Sequence, residues 1–172
     1  MKSNIVLIGM PGVGKSTLGV ILAKTLGYEF LDTDLVIQHT EQRLLKEIIE
    51  AEGPDGFIKR EAQIVSGISV SHTVIATGGS IVYGKAAMRH LAEDGIIVYL
   101  KQDLPVIQKR LHNINNRGVV LKEGQTFEDL YYERCVLYEK YADIIIEQED
   151  LDVETCLERV IEALQYLRQF MS

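Results

Sequence analysis

The chain has 172 residues, enough for one domain with its own apolar core. Hydrophobic residues make up 47% and charged residues 25%, which excludes a disordered, collagen-like or disulfide-framed chain. Its 18 basic and 25 acidic side chains leave a net charge of −7, which argues against DNA or RNA as a partner but not against a small anion held at a local cationic site.

No apolar run approaches the about 20 residues of a membrane-spanning helix. The start of the chain enters a short apolar stretch that stops at Gly9, which reads as a strand and not as a signal peptide. Cys135 and Cys156 are too few and too isolated for a disulfide framework or a zinc site. They read as packing residues of a reduced, cytoplasmic protein.

Asn4 to Ile8 is a short, β-branched run and predicts a buried strand. Lys15 to Leu26 carries Leu18, Ile21, Leu22 and Leu26 at helical spacing, and Gly27 ends it. A second strand is expected over Glu29 to Leu31. The spacing predicts a helix from Leu35 to Glu52, with Ile37, Leu44, Leu45, Ile48 and Ile49 inward and Gly53-Pro54 as its breaker. Phe57 to Ile68 predicts another helix and Thr73 to Ala76 a third strand. Lys85 to Glu93 reads as helix, Ile96 to Leu100 as strand and Leu104 to Leu111 as helix. The stretch from about 112 to 125 is polar and weakly periodic, and reads as a lid loop. Phe127 to Tyr141 reads as helix, Asp143 to Glu147 as strand and Val153 to Phe170 as the closing helix. Strands alternating with helices call for a parallel α/β sheet covered on both faces, in a single domain over 1–172.

Gly9-Met10-Pro11-Gly12-Val13-Gly14-Lys15-Ser16 fits the phosphate-loop pattern G-x-x-x-x-G-K-[ST]. Glycines let backbone amides turn toward phosphate oxygens, and the following helix aims its N-terminus at the same anion. Lys15 is expected at the terminal phosphates and Ser16 on magnesium. Gly12, Val13, Gly14, Lys15, Ser16 and Thr17 form the expected nucleotide cradle. An apolar strand before and an amphipathic helix after supply the context that the motif requires. No Asn-Lys-x-Asp segment for reading guanine is present. A small phosphate-loop domain with a lid suggests phosphoryl transfer to a small acceptor.

Asp32-Thr33-Asp34 falls at the end of the second strand, at the carboxyl edge where open α/β sheets bind ligands. Alternation along a strand would point both carboxylates the same way. One could then serve the magnesium shell and the other accept a hydroxyl proton. The plainer alternative is a pair of helix-capping aspartates.

The phosphate loop, Phe-Leu-Asp-Thr-Asp, the Phe57 to Glu61 segment, Ala-Thr-Gly-Gly, the arginine-bearing lid and Glu-Arg-x-x-x-Tyr-x-x-x-Ala-Asp together resemble shikimate kinase, nearly end to end from Ile5 to Ile146. The resemblance implies a three-layer fold of the phosphate-loop NTPase type, with a five-stranded parallel sheet in the order 2-3-1-4-5. It implies acceptor-binding helices over about 35–70, ATP and Mg2+, and phosphorylation of a hydroxyl on a small cyclic acid, shikimate or similar. By matching positions, Asp34 resembles the residue that grips the acceptor hydroxyls and acts as base, and Asp32 a magnesium-shell residue. Arg117 resembles a lid arginine that closes on the phosphates, Arg110 one that packs on adenine, and Arg134 one that holds the substrate carboxylate. Gly78, Gly79 and Ser80 fall at the acceptor turn. A monomer acting without nucleic acid or membrane is expected.

Three positions depart from the family's pattern. Ile58 stands where a carboxylate-binding arginine is expected, and sliding the register to use Arg60 breaks the neighbouring matches. Ser80 replaces the third glycine of a Gly-Gly-Gly run. Arg117-Gly118-Val119-Val120 replaces Arg-Pro-Leu-Leu in the lid. The nucleotide side is intact and the acceptor side is edited. Two other readings therefore stand beside shikimate: a kinase of the same fold for a different hydroxylated metabolite, and a nucleotide-binding regulatory module without turnover.

Overall fold

β1 (Asn4–Ile8) has every residue buried, so both faces of its pleat are covered. β3 (Thr73–Ala76) pairs with it on one side and β4 (Gly95–Lys101) on the other, both parallel. β2 (Glu29–Asp32) and β5 (Ile144–Glu147) form the edges, giving the order β2-β3-β1-β4-β5. This is the order expected from the resemblance. The computed structural model describes residues 2–112, 119, 121–149 and 151–171.

Seven helices complete the described fold: α1 (Lys15–Leu26), α2 (Thr33–Glu41), α3 (Leu45–Val65), α4 (Lys85–Asp94), α5 (Leu104–His112), α6 (Phe127–Tyr141) and α7 (Val153–Met171). The main core is aliphatic and centred on β1 and β4, with α1, α4, α6 and α7 packed on it. A second, smaller cluster joins Ile37 of α2 to Ile48 and Phe57 of α3, so these two helices have a core of their own. Among the described residues no helix is long and apolar enough to cross a membrane.

The expected helix over 35–52 is two helices. The chain breaks at Gln42, which takes a left-handed conformation at φ 53° and donates its side-chain amide to the His39 carbonyl at 2.6 Å. Glu47 then accepts from the Leu44 amide at 2.7 Å and starts α3. Leu44, expected inward, is 61% exposed as a result. Neither glycine nor proline marks this break in the sequence. Gly53-Pro54 kinks α3 without ending it: Gly53 turns to φ 70°, where Pro54 disfavours a helical predecessor. Glu41, Arg43, Glu52 and Arg60 interlock across both breaks at 3.0–3.6 Å. Arg60 is thereby engaged with Glu41 and Glu52.

A left-handed non-glycine residue costs about 1–2 kcal/mol. Gln42→Gly should therefore stabilise the chain by about 0.5–1 kcal/mol net of the added chain entropy. Thermal unfolding checks this. A lower melting temperature would mean that the Gln42–His39 bond outweighs the strain.

Candidate active site

At the end of β1 the chain turns through Gly12 and Gly14, at φ 82° and 95°, into α1. The turn places Lys15 beneath its own loop. The Lys15 ammonium donates to the carbonyls of Gly9 at 2.7 Å and Met10 at 2.9 Å. Burial pulls its pKa down to about 8, against the opposing pull of Asp34. The charge is thus held ready at the loop, poorly solvated and able to move to a stronger anion.

β2 ends at Asp32, and Asp32 is also the N-cap of α2. Its Oδ1 accepts from the Asp34 amide at 3.0 Å and its Oδ2 from the Ser16 hydroxyl at 2.7 Å. The capping reading is therefore realised in Asp32, which at the same time stays in contact with the phosphate-loop serine. Asp34 lies inside the first turn of α2, so helix geometry, not strand alternation, aims its carboxylate. Burial, then the neighbouring Asp32 charge, pushes Asp34 up to about 6, with Lys15 opposing.

A cleft of about 810 Å³ opens over these groups. Gly12, Gly14, Lys15, Ser16 and Thr17 of the expected cradle line it, together with Asp32, Asp34, Gly78, Gly79, Ser80 and Arg134. Residues far apart in the sequence thus meet at one site. Val13 is turned into the core, where its carbonyl accepts from Gln148 at 3.0 Å. Arg110 donates to the Gly12 carbonyl at 3.2 Å, which puts it beside the cradle. Ile58 is not among the lining residues; it packs half-buried against the Ile37–Ile48–Phe57 cluster. Arg117 and half of the expected lid, residues 113–118 and 120, lie outside the described residues.

The turn after β3 is held from three sides. Thr77 donates to the Leu7 carbonyl at 2.9 Å, Thr33 accepts from the Gly78 amide at 3.2 Å, and Tyr138 donates to the Gly79 carbonyl at 2.7 Å. A side chain at either glycine would press on the charged groups around the turn. A Cβ on Gly78 would lie 2.6 Å from a Glu61 oxygen and 2.9 Å from one of Asp34, and a Cβ on Gly79 2.8 Å from Arg134. Arg134 is only 1% exposed, with its guanidinium 5.5 Å from the centre of the Tyr83 ring. Arg134 is therefore not a solvated surface arginine.

Sequence reasoning missed Glu61 as part of this arrangement. It is 1% exposed, accepts from the Ser80 hydroxyl at 2.6 Å, and is pushed up to about 7 by burial. Its helical spacing from Phe57 and Val65, both buried, was the available signal. Leu35, Leu44, Leu45 and Phe57 add an apolar wall to the cleft that the motifs did not reveal.

The chain matches the family described as "Shikimate kinase" over residues 11–165. A shikimate kinase of Colwellia psychrerythraea is 36% identical over 169 residues, covering 96% of this chain and 98% of that protein. A shikimate kinase 2 of Yersinia pseudotuberculosis is 40% identical over 111 residues, and the match spans only 64% of its length. The solved structure of the Acinetobacter baumannii shikimate kinase in complex with shikimate superimposes with a TM-score of 0.87 at 31% identity, covering 95% of this chain and 93% of that one. A sequence match running from the phosphate loop into the closing helix, with the same fold around it, makes the chain a member of the shikimate kinase family.

Proposed function

We propose that this single domain is an ATP-dependent kinase that transfers the γ-phosphoryl group to a hydroxyl of shikimate. The observation that carries the reading is the meeting of Lys15 and Asp34 in one cleft: a phosphate-loop cation and a carboxylate tuned toward neutrality. Lys15 leaves its loop carbonyls to balance charge on the transferring phosphoryl group. Asp34 takes the proton of the attacking hydroxyl. Arg134, rising through the Gly79 side of the turn, holds the acceptor's carboxylate. Arg110 stands at the nucleotide side, and Arg117 is the expected closing cation. The chain works as a monomer in the cytoplasm, on small molecules and not on nucleic acid or a membrane.

The Ser16 hydroxyl and Asp32 carboxylate, 2.7 Å apart, are hard oxygen donors that fit magnesium. When bound there, the ion would neutralise phosphate charge. Asp32 also fixes the Asp34 amide, so the same carboxylate orients the base.

The test is ATP consumption with shikimate beside a panel of polyols and hydroxy acids, with products read by mass spectrometry. A phosphorylated shikimate supports the reading. Turnover of another panel member alone would replace the acceptor. Consumption of none would leave the regulatory module.

Ile58 favours attention to a different hydroxylated acceptor, because an aliphatic side chain packed into the α2–α3 cluster supplies no second cation. Ile58→Arg separates the two. With shikimate as acceptor, a guanidinium that reaches past the α2–α3 cluster into the cleft should lower its KM by roughly 10-fold or more, with the ATP KM little changed. With a reshaped pocket, it would depress activity toward the true acceptor and give nothing with shikimate. No response in either direction would mean that an arginine at 58 stays outside the cleft, as Ile58 does.

A further inference from the structure

The phosphate loop is pinned from behind at two successive carbonyls. Arg110 of α5 donates to the Gly12 carbonyl at 3.2 Å, and Gln148 donates its side-chain amide to the Val13 carbonyl at 3.0 Å. Gln148 directly follows β5 and is only 8% exposed. Its own main chain is fixed on both sides. Its amide donates to the Lys101 carbonyl at 2.8 Å, and its carbonyl accepts from the Leu151 amide at 2.7 Å. The next carbonyl, that of Glu149, accepts from the Gln102 side chain at 2.9 Å. The Gln148 side chain is therefore presented by a rigid frame. Its orientation follows from chemistry: a carbonyl needs a donor, so Nε2 and not Oε1 faces Val13. The only other contact of Nε2 is the Cys156 sulfur, at 3.7 Å. Oε1 is buried without a hydrogen-bond partner among the described residues. An unmet buried acceptor lowers stability, so what this side chain contributes is its donor to Val13.

A trans peptide is planar, with its carbonyl and its amide hydrogen pointing opposite ways. Holding the Val13 carbonyl toward the core thus aims the Gly14 amide the other way, toward the cleft that Gly14 lines. The Val13 amide donates to the Met10 carbonyl at 3.4 Å, whereas the Gly14 amide donates to nothing among the described residues. Gly14 itself gives this peptide little resistance to turning. It sits at φ 95°, and glycine takes positive and negative φ about equally well. A turned peptide would meet a phosphate with a carbonyl oxygen in place of an N–H. We propose that Gln148 is a positioning residue for the nucleotide: by anchoring the Val13 carbonyl it keeps the Gly14 amide directed at a phosphate oxygen. The inference rests on the reading that this loop holds the phosphates of ATP.

The experiment compares the wild type with Gln148→Met and Gln148→Asn. ADP binding is measured by calorimetry with Mg2+ present, and adenosine binding by saturation-transfer NMR. Methionine keeps the length and lacks the donor. Asparagine keeps the amide and falls one carbon short of Val13. Both variants should bind ADP about 10-fold more weakly or worse, the loss expected for one hydrogen bond to a charged group. Both should bind adenosine as the wild type does, because adenosine has no phosphate. In Gln148→Met the lost bond is offset by removal of the unmet acceptor, so its melting temperature should stay close to that of the wild type. Should one variant fail to fold, the other decides. An unchanged ADP affinity in a folded variant overturns the inference. A drop in melting temperature with equal losses for ADP and adenosine also overturns it, since Gln148 would then be a strut of the fold. A wild type that binds no ADP would instead sink the reading of the loop as a nucleotide site, and this inference with it.

Discussion

Lys15→Ala should remove phosphoryl transfer by about 10²–10³-fold or more while leaving the chain folded. The expectation about activity follows from position: Lys15 is the cation of the phosphate loop, and its partners are two carbonyls that ATP can replace. The expectation about stability follows from burial. A lysine lowered from 10.5 to about 8 is held charged at neutral pH against its surroundings. The unfolded chain binds the proton more tightly than the folded one between these values, so this group's cost is fully present below pH 8 and is relieved as pH rises to 10.5. At neutral pH that cost is about 3 kcal/mol, an upper figure offset by the two lost hydrogen bonds. The nucleotide-free mutant should therefore melt no lower than the wild type at pH 7. Turnover assays and thermal unfolding, run together, check both halves. Retained activity would remove the cradle assignment. A collapse in melting temperature would make Lys15 a strut of the loop.

The parts of this fold that were legible in the sequence share a physical cause. β1, β3 and β4 are short aliphatic runs, and α1 and α6 carry their own start or stop signals: Gly27 in a left-handed cap for α1, and Thr126 capping α6 through Asp129. Local chemistry decides such elements, so local reading finds them. The break at Gln42 was invisible because tertiary packing forces it. Ile37 and Ile48 must both reach one small cluster, and a residue with no preference for φ 53° is bent to allow it.

The candidate site divides in the same way. The phosphate loop and Asp32-Thr33-Asp34 are contiguous and carry their spacing openly. The Gly78 turn, Glu61 of α3 and Arg134 of α6 are far apart in the chain and are brought together only by the tertiary fold. The motif match put Ile58 in the acceptor helix, but no sequence pattern says whether a side chain there faces the cleft or the α2–α3 core. Packing places it against that core.

Asp34→Asn should lower kcat by about 10²-fold or more and leave the ATP KM within about twofold. The substitution keeps size and shape, and the bond from residue 34 to Asp32 runs from the main-chain amide, so it survives. What is lost is the carboxylate proposed to accept the proton. Asp34 is suited to that task because burial and the Asp32 charge raise it to about 6, near enough to neutrality for efficient proton transfer yet still ionised at pH 7. The wild type should therefore gain kcat/KM as pH rises through about 6, and the mutant should lack that limb. Stability supplies a second, independent sign. A carboxyl whose folded pKa lies above its unfolded 3.8 binds its proton more tightly in the folded chain, so folding loses stability as pH rises from 3.8 to about 6. Asparagine cannot ionise and escapes that loss, which amounts to at most about 3 kcal/mol. Above pH 6 the inactive mutant should be the more stable protein, and the difference should vanish toward pH 4. If instead ATP affinity fell while kcat held, Asp34 would belong to the metal shell, and the roles of Asp32 and Asp34 would be exchanged. If activity fell without any gain in stability above pH 6, the carboxylate would not be desolvated, and the origin of its basicity would have to be sought in the bound acceptor.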